Sequence, residues 1–169
     1  MGAVLVTVEC GKEERATIEI LDSILPLDVG ASIRRCESRG ILILETSLDP
    51  DQAAESIAGS LTRLVRSTVP VDLLVSSDLS EIEQALVPRI EAGSKIAVRC
   101  RCRRRGSSLP PPLEVERLVG RSLVELGCTV DLESPDQIVR IEIIGETTAV
   151  SVRPPSRSVF KRASQVQRA

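Results

Sequence analysis

Lys95-Ile96-Ala97-Val98-Arg99-Cys100-Arg101-Cys102-Arg103-Arg104-Arg105 alternates apolar and basic residues with a period of two. That period belongs to a β-strand, where successive side chains point to opposite faces. Ile96, Val98, Cys100 and Cys102 then face a core, and Ala97, Arg99, Arg101 and Arg103 face the other way. At a rise of about 3.3 Å per residue, the alternating arginines stand roughly 7 Å apart. That is close to the spacing of neighbouring phosphates along a nucleic-acid strand. Like charges in such a row repel unless something negative lies over them, so the strand reads as an anion-binding face. Two structural readings stand beside it: an acidic lid from elsewhere in the chain, or basic protection of a sheet edge against aggregation.

Downstream, Pro110-Pro111-Pro112 opens a helix with Val115, Leu118, Val119, Ser122, Leu123 and Leu126 on its buried face and Gly127 as C-cap. Pro135-Asp136 is a turn, and strands over Gln137–Ile144 and Thr147–Arg153 join at Gly145-Glu146. Upstream, Asp78 caps a helix carrying Leu79, Ile82, Leu86 and Ile90, kinked or divided by Pro88. The first 76 residues read as strand, helix, two strands, helix, strand. Ala3–Glu9 is the first strand, and the helix Lys12–Leu25 buries Ile18, Leu21 and Leu25. Ala31–Cys36 and Gly40–Thr46 form a hairpin. Asp49-Pro50 starts a helix with Ala54, Ile57, Ala58, Leu61, Leu64 and Val65 inward, ending before Pro70, and Val71–Val75 is the last strand. This βαββαβ order is the ferredoxin-like pattern. From Pro154 onward Pro, Ser and Arg dominate. The expected organisation is α+β: a ferredoxin-like domain over 1–76, a second domain over 77–153, and a basic tail of marginal order over 154–169.

Composition narrows the chemistry. The chain has 169 residues, 42% hydrophobic and 27% charged, which excludes wholesale disorder. Its longest apolar run is about four residues against the roughly 20 of a membrane span. No basic stretch precedes the first apolar residues, so no secretory signal is read and a cytoplasmic protein is expected. There is no His, which excludes Ser-His-Asp and Cys-His catalysis and His-ligated zinc. The one aromatic residue, Phe160, cannot build a base-stacking sheet. Nineteen Arg against three Lys, with no Asn, fits a heat-adapted or GC-rich source.

Residues 1–92 hold 16 acids and 8 bases, whereas residues 93–169 hold 8 acids and 14 bases. The second half is therefore basic within a chain of net charge −2. Of the five cysteines, Cys100 and Cys102 form C-x-C rather than paired C-x-x-C knuckles, and they read as small core hydrophobes. Glu13-Glu14, Glu81/Glu83 and Glu114/Glu116 fall in first helical turns, where acids favour the helix dipole. Gly106-Ser107-Ser108 lacks the glycines and lysine of a phosphate cradle. No catalytic residue, metal ligand or cofactor site is expected, and the protein is read as a non-enzyme. The candidate interface is Arg99, Arg101, Arg103, Arg104 and Arg105, widened by Lys95, Arg117 and Arg121 and extended by Arg153, Arg157, Lys161 and Arg162.

The stretch Lys95–Gly106, the helix containing Glu114-Val-Glu-Arg-Leu-Val-Gly120, and Val130-Asp-Leu-Glu-Ser-Pro-Asp136 before two strands together resemble a THUMP domain. A ferredoxin-like domain directly before it is similar to the arrangement in 4-thiouridine synthetases. The resemblance implies tRNA as partner, recognised by backbone and shape, with no DNA or membrane. No catalytic domain is expected here, so the likeness runs to stand-alone archaeal THUMP proteins, akin to the adaptor that supports tRNA N4-acetylcytidine formation. It implies a non-catalytic protein that presents tRNA to a separate modification enzyme, an N4-acetylcytidine-forming acetyltransferase among them. Two alternatives are a ferredoxin-like small-molecule-binding regulator, which needs a deep polar pocket in the first domain, and a protein-only scaffold. Pairing of the arginine row with internal acids would favour the scaffold.

Overall fold

The computed structural model describes residues 1–105 and 108–162. Gly106, Ser107 and the stretch 163–169 of the expected tail lie outside the described residues. The chain divides into two compact units: Met1–Pro70 together with the segment returning from Val159, and Val71–Ser158.

The first unit runs β1 (Gly2–Val8), α1 (Glu13–Ile24), β2 (Ser32–Arg35), β3 (Ile41–Thr46), α2 (Pro50–Gly59) and β4 (Val65–Val71). With β10 (Phe160–Lys161) they form a sheet of order β10-β4-β1-β3-β2. The expected β-α-β-β-α-β order holds. Val4, Val6 and Val8 pack with Leu42 and Leu44 against Ala16, Ile20, Ile24, Ala53, Ala54 and Ile57 of the helices. Asp49 caps α2 as read from sequence, accepting from Asp51 N and Gln52 N at 3.0 and 3.1 Å.

Three details differ. Helix α1 buries Ala16, Ile20 and Ile24, and leaves Ile18 61% exposed, because the small Ala16 lets that stripe pack closer. Helix α2 stops at Gly59, with Ser60 extended and Leu61 exposed, rather than running to Pro70. The β-branched run Val65, Thr68, Val69 and Val71 then forms a strand, since branched side chains suit a pleated sheet better than a helix. The last strand therefore comes earlier than expected, and the first compact unit runs to Pro70 before the chain enters the second.

The segment after Pro154 is also structured as far as Arg162. Pro155–Arg157 makes a 3-10 turn, and Phe160 and Lys161 pair with Thr68 and Ser67 of β4. Phe160 packs against the first unit's core, an apolar anchor in an otherwise polar stretch.

The second unit contains β5 (Leu73–Ser76), α3 (Leu79–Leu86), β6 (Lys95–Arg104), α4 (Pro112–Glu125), β7 (Thr129–Val130), β8 (Gln137–Ile144) and β9 (Thr147–Arg153). Its sheet order is β5-β9-β8-β6-β7, with β6 parallel to β7 and β8 and the other pairings antiparallel. Asp78 caps α3 through Glu81 N, and Pro88 converts the helix end to a 3-10 turn over Val87–Arg89. Ile82, Leu86, Val115, Val119 and Leu123 of the helices cover Ile96, Val98, Val139, Ile141 and Val150 of the sheet. Leu126, expected inside, is 54% exposed because α4 ends at Glu125 and Gly127 (φ +98°) turns the chain away.

These bounds change the charge argument. Residues 71–158 contain 13 acids and 12 bases, so the second unit is not basic as a whole. Its positive charge is local, concentrated on β6. Among the described residues no helix is long and apolar enough to cross a membrane.

Candidate nucleic-acid interface

Strand β6 is anchored at its start by the segment that follows α4. Asp131 N donates to Ile96 O at 2.9 Å, Asp136 N donates to Lys95 O at 2.8 Å, and Asp136 Oδ2 accepts from Lys95 N at 3.0 Å. Asp131 Oδ1 accepts from Glu133 N and Ser134 N, and these bonds hold its carboxyl below the usual range. The Val130–Asp136 stretch is thus a clamp that fixes where β6 begins. Beyond Ile96, β7 no longer pairs with β6, and Glu116 Oε1 instead accepts from Cys100 N at 2.8 Å.

From this anchored start the alternation carries Ile96 and Val98 onto the helix-covered face and Arg99 and Arg101 onto the opposite one. Arg99 and Arg101 are exposed, and neither has an acidic partner within ion-pair distance among the described residues. Cys100 lies on the core side, where burial first, then the Glu116 and Glu142 carboxylates, push its thiol up to about 12.

The alternation breaks at Arg103. Cys102 is opposite Ile143 and Arg104 opposite Ile144, so Arg103 is the extra residue of a bulge. Its Nε donates to Glu142 Oε2 at 2.8 Å, and its side chain is only 15% exposed. The expected three-arginine row is therefore two exposed arginines and one held by a buried acid.

Past the bulge, Arg103, Arg104 and Arg105 line a cleft of about 480 Å³ with Cys102, Ile143 and the Leu109–Pro112 stretch that leads into α4. Its lining brings three arginines together with Leu109 and three prolines. Such a surface can take a phosphate and an apolar ring system together.

The remaining candidates scatter. Lys95 is exposed, 3.9 Å from Asp131, and Arg117 pairs loosely with Glu114 on α4. Arg117 and Arg121 are exposed on α4, across the sheet from Arg99 and Arg101. Arg153 is mostly buried, with its Nη1 2.8 and 2.9 Å from the Asp72 carboxylate oxygens, because a buried acid demands a partner. Arg157 sits in the 3-10 turn. Lys161 and Arg162 belong to the first unit, where Arg162 donates to the Thr62 and Arg63 carbonyls.

Sequence reading missed Arg140. It lies in register with Arg99 on β8, donates from Nε to Ser158 Oγ at 3.0 Å, and its Nη1 lies 3.6 Å from Glu142 Oε1. Alternation within Gln137–Ile144 puts Arg140 and Glu142 on one face, but only the inter-strand register shows that this face is the arginine face.

Among the described residues no group of three or more Cys, Asp or Glu could hold a metal ion. In the first unit, a hollow of about 230 Å³ is lined by Glu13, Arg35, Cys36 and Arg39, among others. Glu13 Oε1 is already committed there to Gly40 N and Gly11 N.

Residues 78–153 match the THUMP domain, and the chain carries that domain there. No curated protein sequence matches the chain. Among solved structures, PH1313 from Pyrococcus horikoshii has a TM-score of 0.71 at 20% identity, over 95% of this chain and 55% of that one. TrmN from Thermus thermophilus has 0.63 at 24%, over 93% and 48%. A 4-thiouridine synthetase in complex with RNA and bound ATP has 0.63 at 11%, over 95% and 42%. At these identities the likeness is one of fold. The chain spans about half the length of these structures.

Proposed function

We propose that this chain is a non-catalytic tRNA-binding protein that presents tRNA to a separate modification enzyme, with an N4-acetylcytidine-forming acetyltransferase as the first candidate. The observation that carries the reading is Arg99 and Arg101 exposed side by side on β6, beside an arginine-lined cleft, inside a THUMP domain. THUMP domains are associated with RNA binding and tRNA modification, and one of the similar folds is a protein crystallised with RNA. Arginine suits the work because its planar fork meets two phosphate oxygens and stays charged at any relevant pH. With one aromatic residue in the chain, backbone and shape rather than base stacking carry recognition. The lack of histidine supports a binding role over acid–base chemistry.

The test is tRNA binding by the wild type and by Arg99→Ser/Arg101→Ser across a salt series. Each lost phosphate contact lowers the slope of log K against log salt by about 0.7–0.9. The double variant is expected to bind many tRNAs more weakly with an unchanged fold. Equal binding at ~0.15 M salt would make the strand ordinary solvated surface. The Arg103–Glu142 pair gives the scaffold reading one point in its favour, and that same outcome would advance it.

A further inference from the structure

Glu142 is 1% exposed, an unusual place for a carboxylate unless charges are arranged around it. Its Oε2 takes the Arg103 Nε hydrogen bond at 2.8 Å. Its Oε1 makes no hydrogen bond among the described residues, with Arg140 Nη1 3.6 Å away. Glu142 is in register with Arg101, and Arg140 with Arg99. One buried acid thus stands among four arginines that share a sheet face, two of them exposed and two turned inward. The bulge falls at the arginine it holds, and the residues after that bulge line the cleft.

We infer that Glu142 is a positioning residue for RNA binding: it pins Arg103 at the bulge and Arg140 beside Arg99, and so fixes the geometry in which the exposed arginines meet phosphate. This rests on the tRNA-binding reading. Without the acid, four like charges on adjacent strands repel and splay, and Arg103 loses the partner that holds it at the bulge.

Simple electrostatics and positioning give opposite signs here. Glu142→Gln removes a negative charge beside the arginines, so long-range attraction alone makes RNA bind tighter. Positioning makes it bind weaker despite the added net positive charge. Glu142→Asp keeps the charge but shortens the reach by one methylene, so electrostatics leaves binding unchanged while positioning weakens it.

The experiment measures tRNA binding by the full chain, wild type and both variants, with Arg99→Ser/Arg101→Ser alongside and folding checked by thermal unfolding. The expected result is a loss of about fivefold for Glu142→Gln at ~0.15 M salt, with a salt slope no steeper than wild type, and a smaller loss for Glu142→Asp. If Glu142→Gln does not fold, Glu142→Asp decides. Binding equal to or tighter than wild type in the folded Glu142 variants, with the arginine variant still weakened, overturns the positioning role alone. A wild type that binds no tRNA overturns both readings.

Discussion

Arg153 Nη1 lies 2.8 Å from Asp72 Oδ1 and 2.9 Å from Oδ2, and Asp72 Oδ2 also accepts from Val152 N. The two side chains, 15% and 16% exposed, tie the entry of β5 to the end of β9. Arg153 is thus committed to an internal acid, unlike Arg99 and Arg101. Arg153→Ala leaves Asp72 partly buried and uncompensated, which costs about 3 kcal/mol. For a chain of this size Tm then falls by roughly 6–12 °C. Thermal unfolding and tRNA titration below the transition check this: stability drops while the affinity of folded protein stays. A loss of affinity with no loss of Tm would return Arg153 to the interface.

Gly120, part of the stretch that carried the family resemblance, is buried on α4. A Cβ there would lie 3.9 Å from Val130 Cγ2 and 4.0 Å from Val98 Cγ2, ordinary van der Waals contact. Glycine inside a helix costs roughly 0.5–1 kcal/mol relative to alanine. Gly120→Ala is therefore expected to raise Tm by about 1–4 °C with unchanged RNA binding. A drop in Tm would mean that α4 and β6 pack closer than these distances allow.

The elements fixed by local chemistry were legible from sequence: the Asp49 and Asp78 caps, the Gly145-Glu146 hairpin, and the two faces of β6 up to Arg101. What failed depended on tertiary competition. Leu61, Leu64 and Val65 continue a helical stripe on paper, yet Val65–Val71 gains more as a strand beside β1. Leu73–Ser76 looks like the same sheet's last strand, yet it pairs with β9 far along the chain. Arg103 obeys the alternation up to a bulge, where an acid 39 residues away holds its side chain. Arg140 was invisible for the same reason, since register is not written in one strand alone. The charge split over the two halves of the sequence dissolves because residues 71–92, with five acids and one base, belong to the second unit, and Lys161 and Arg162 to the first.

Acid should loosen the first unit through two half-buried carboxyls. Asp28 Oδ2 accepts from Thr46 Oγ1 at 2.6 Å and Ser47 N at 2.8 Å, and the Thr46 bond above all holds its carboxyl below the usual range. Glu13 is lowered likewise, first by Gly40 N. A carboxyl depressed in the folded state adds stability above its unfolded value, near 4, and loses it as pH falls through the folded value. Tm is expected to decline below about pH 4, and Asp28→Asn/Glu13→Gln should flatten that decline while lowering Tm at neutral pH. Parallel pH profiles for the variant and wild type would remove these bonds from the account.

The cysteines give a chemical test of the β6 register on which the interface depends. Cys10 is exposed, Cys128 is buried, and Cys100 sits on the core side of β6 with its thiol at about 12. Alkylation needs the thiolate, and at pH 8 a thiol at about 12 is ionised to only about one part in 10⁴. Iodoacetamide on the native protein should therefore modify Cys10 first and leave Cys100 and Cys128 unmodified until denaturant is added, when all five label. Peptide mass spectrometry resolves the sites, since Cys10 and Cys100 are far apart in sequence. A one-residue slip of β6 would carry Cys100 to the face that holds the exposed Arg99 and Arg101 and turn those arginines inward. Native labelling of Cys100 as fast as Cys10 would report that slip, and the two arginines could not then meet phosphate.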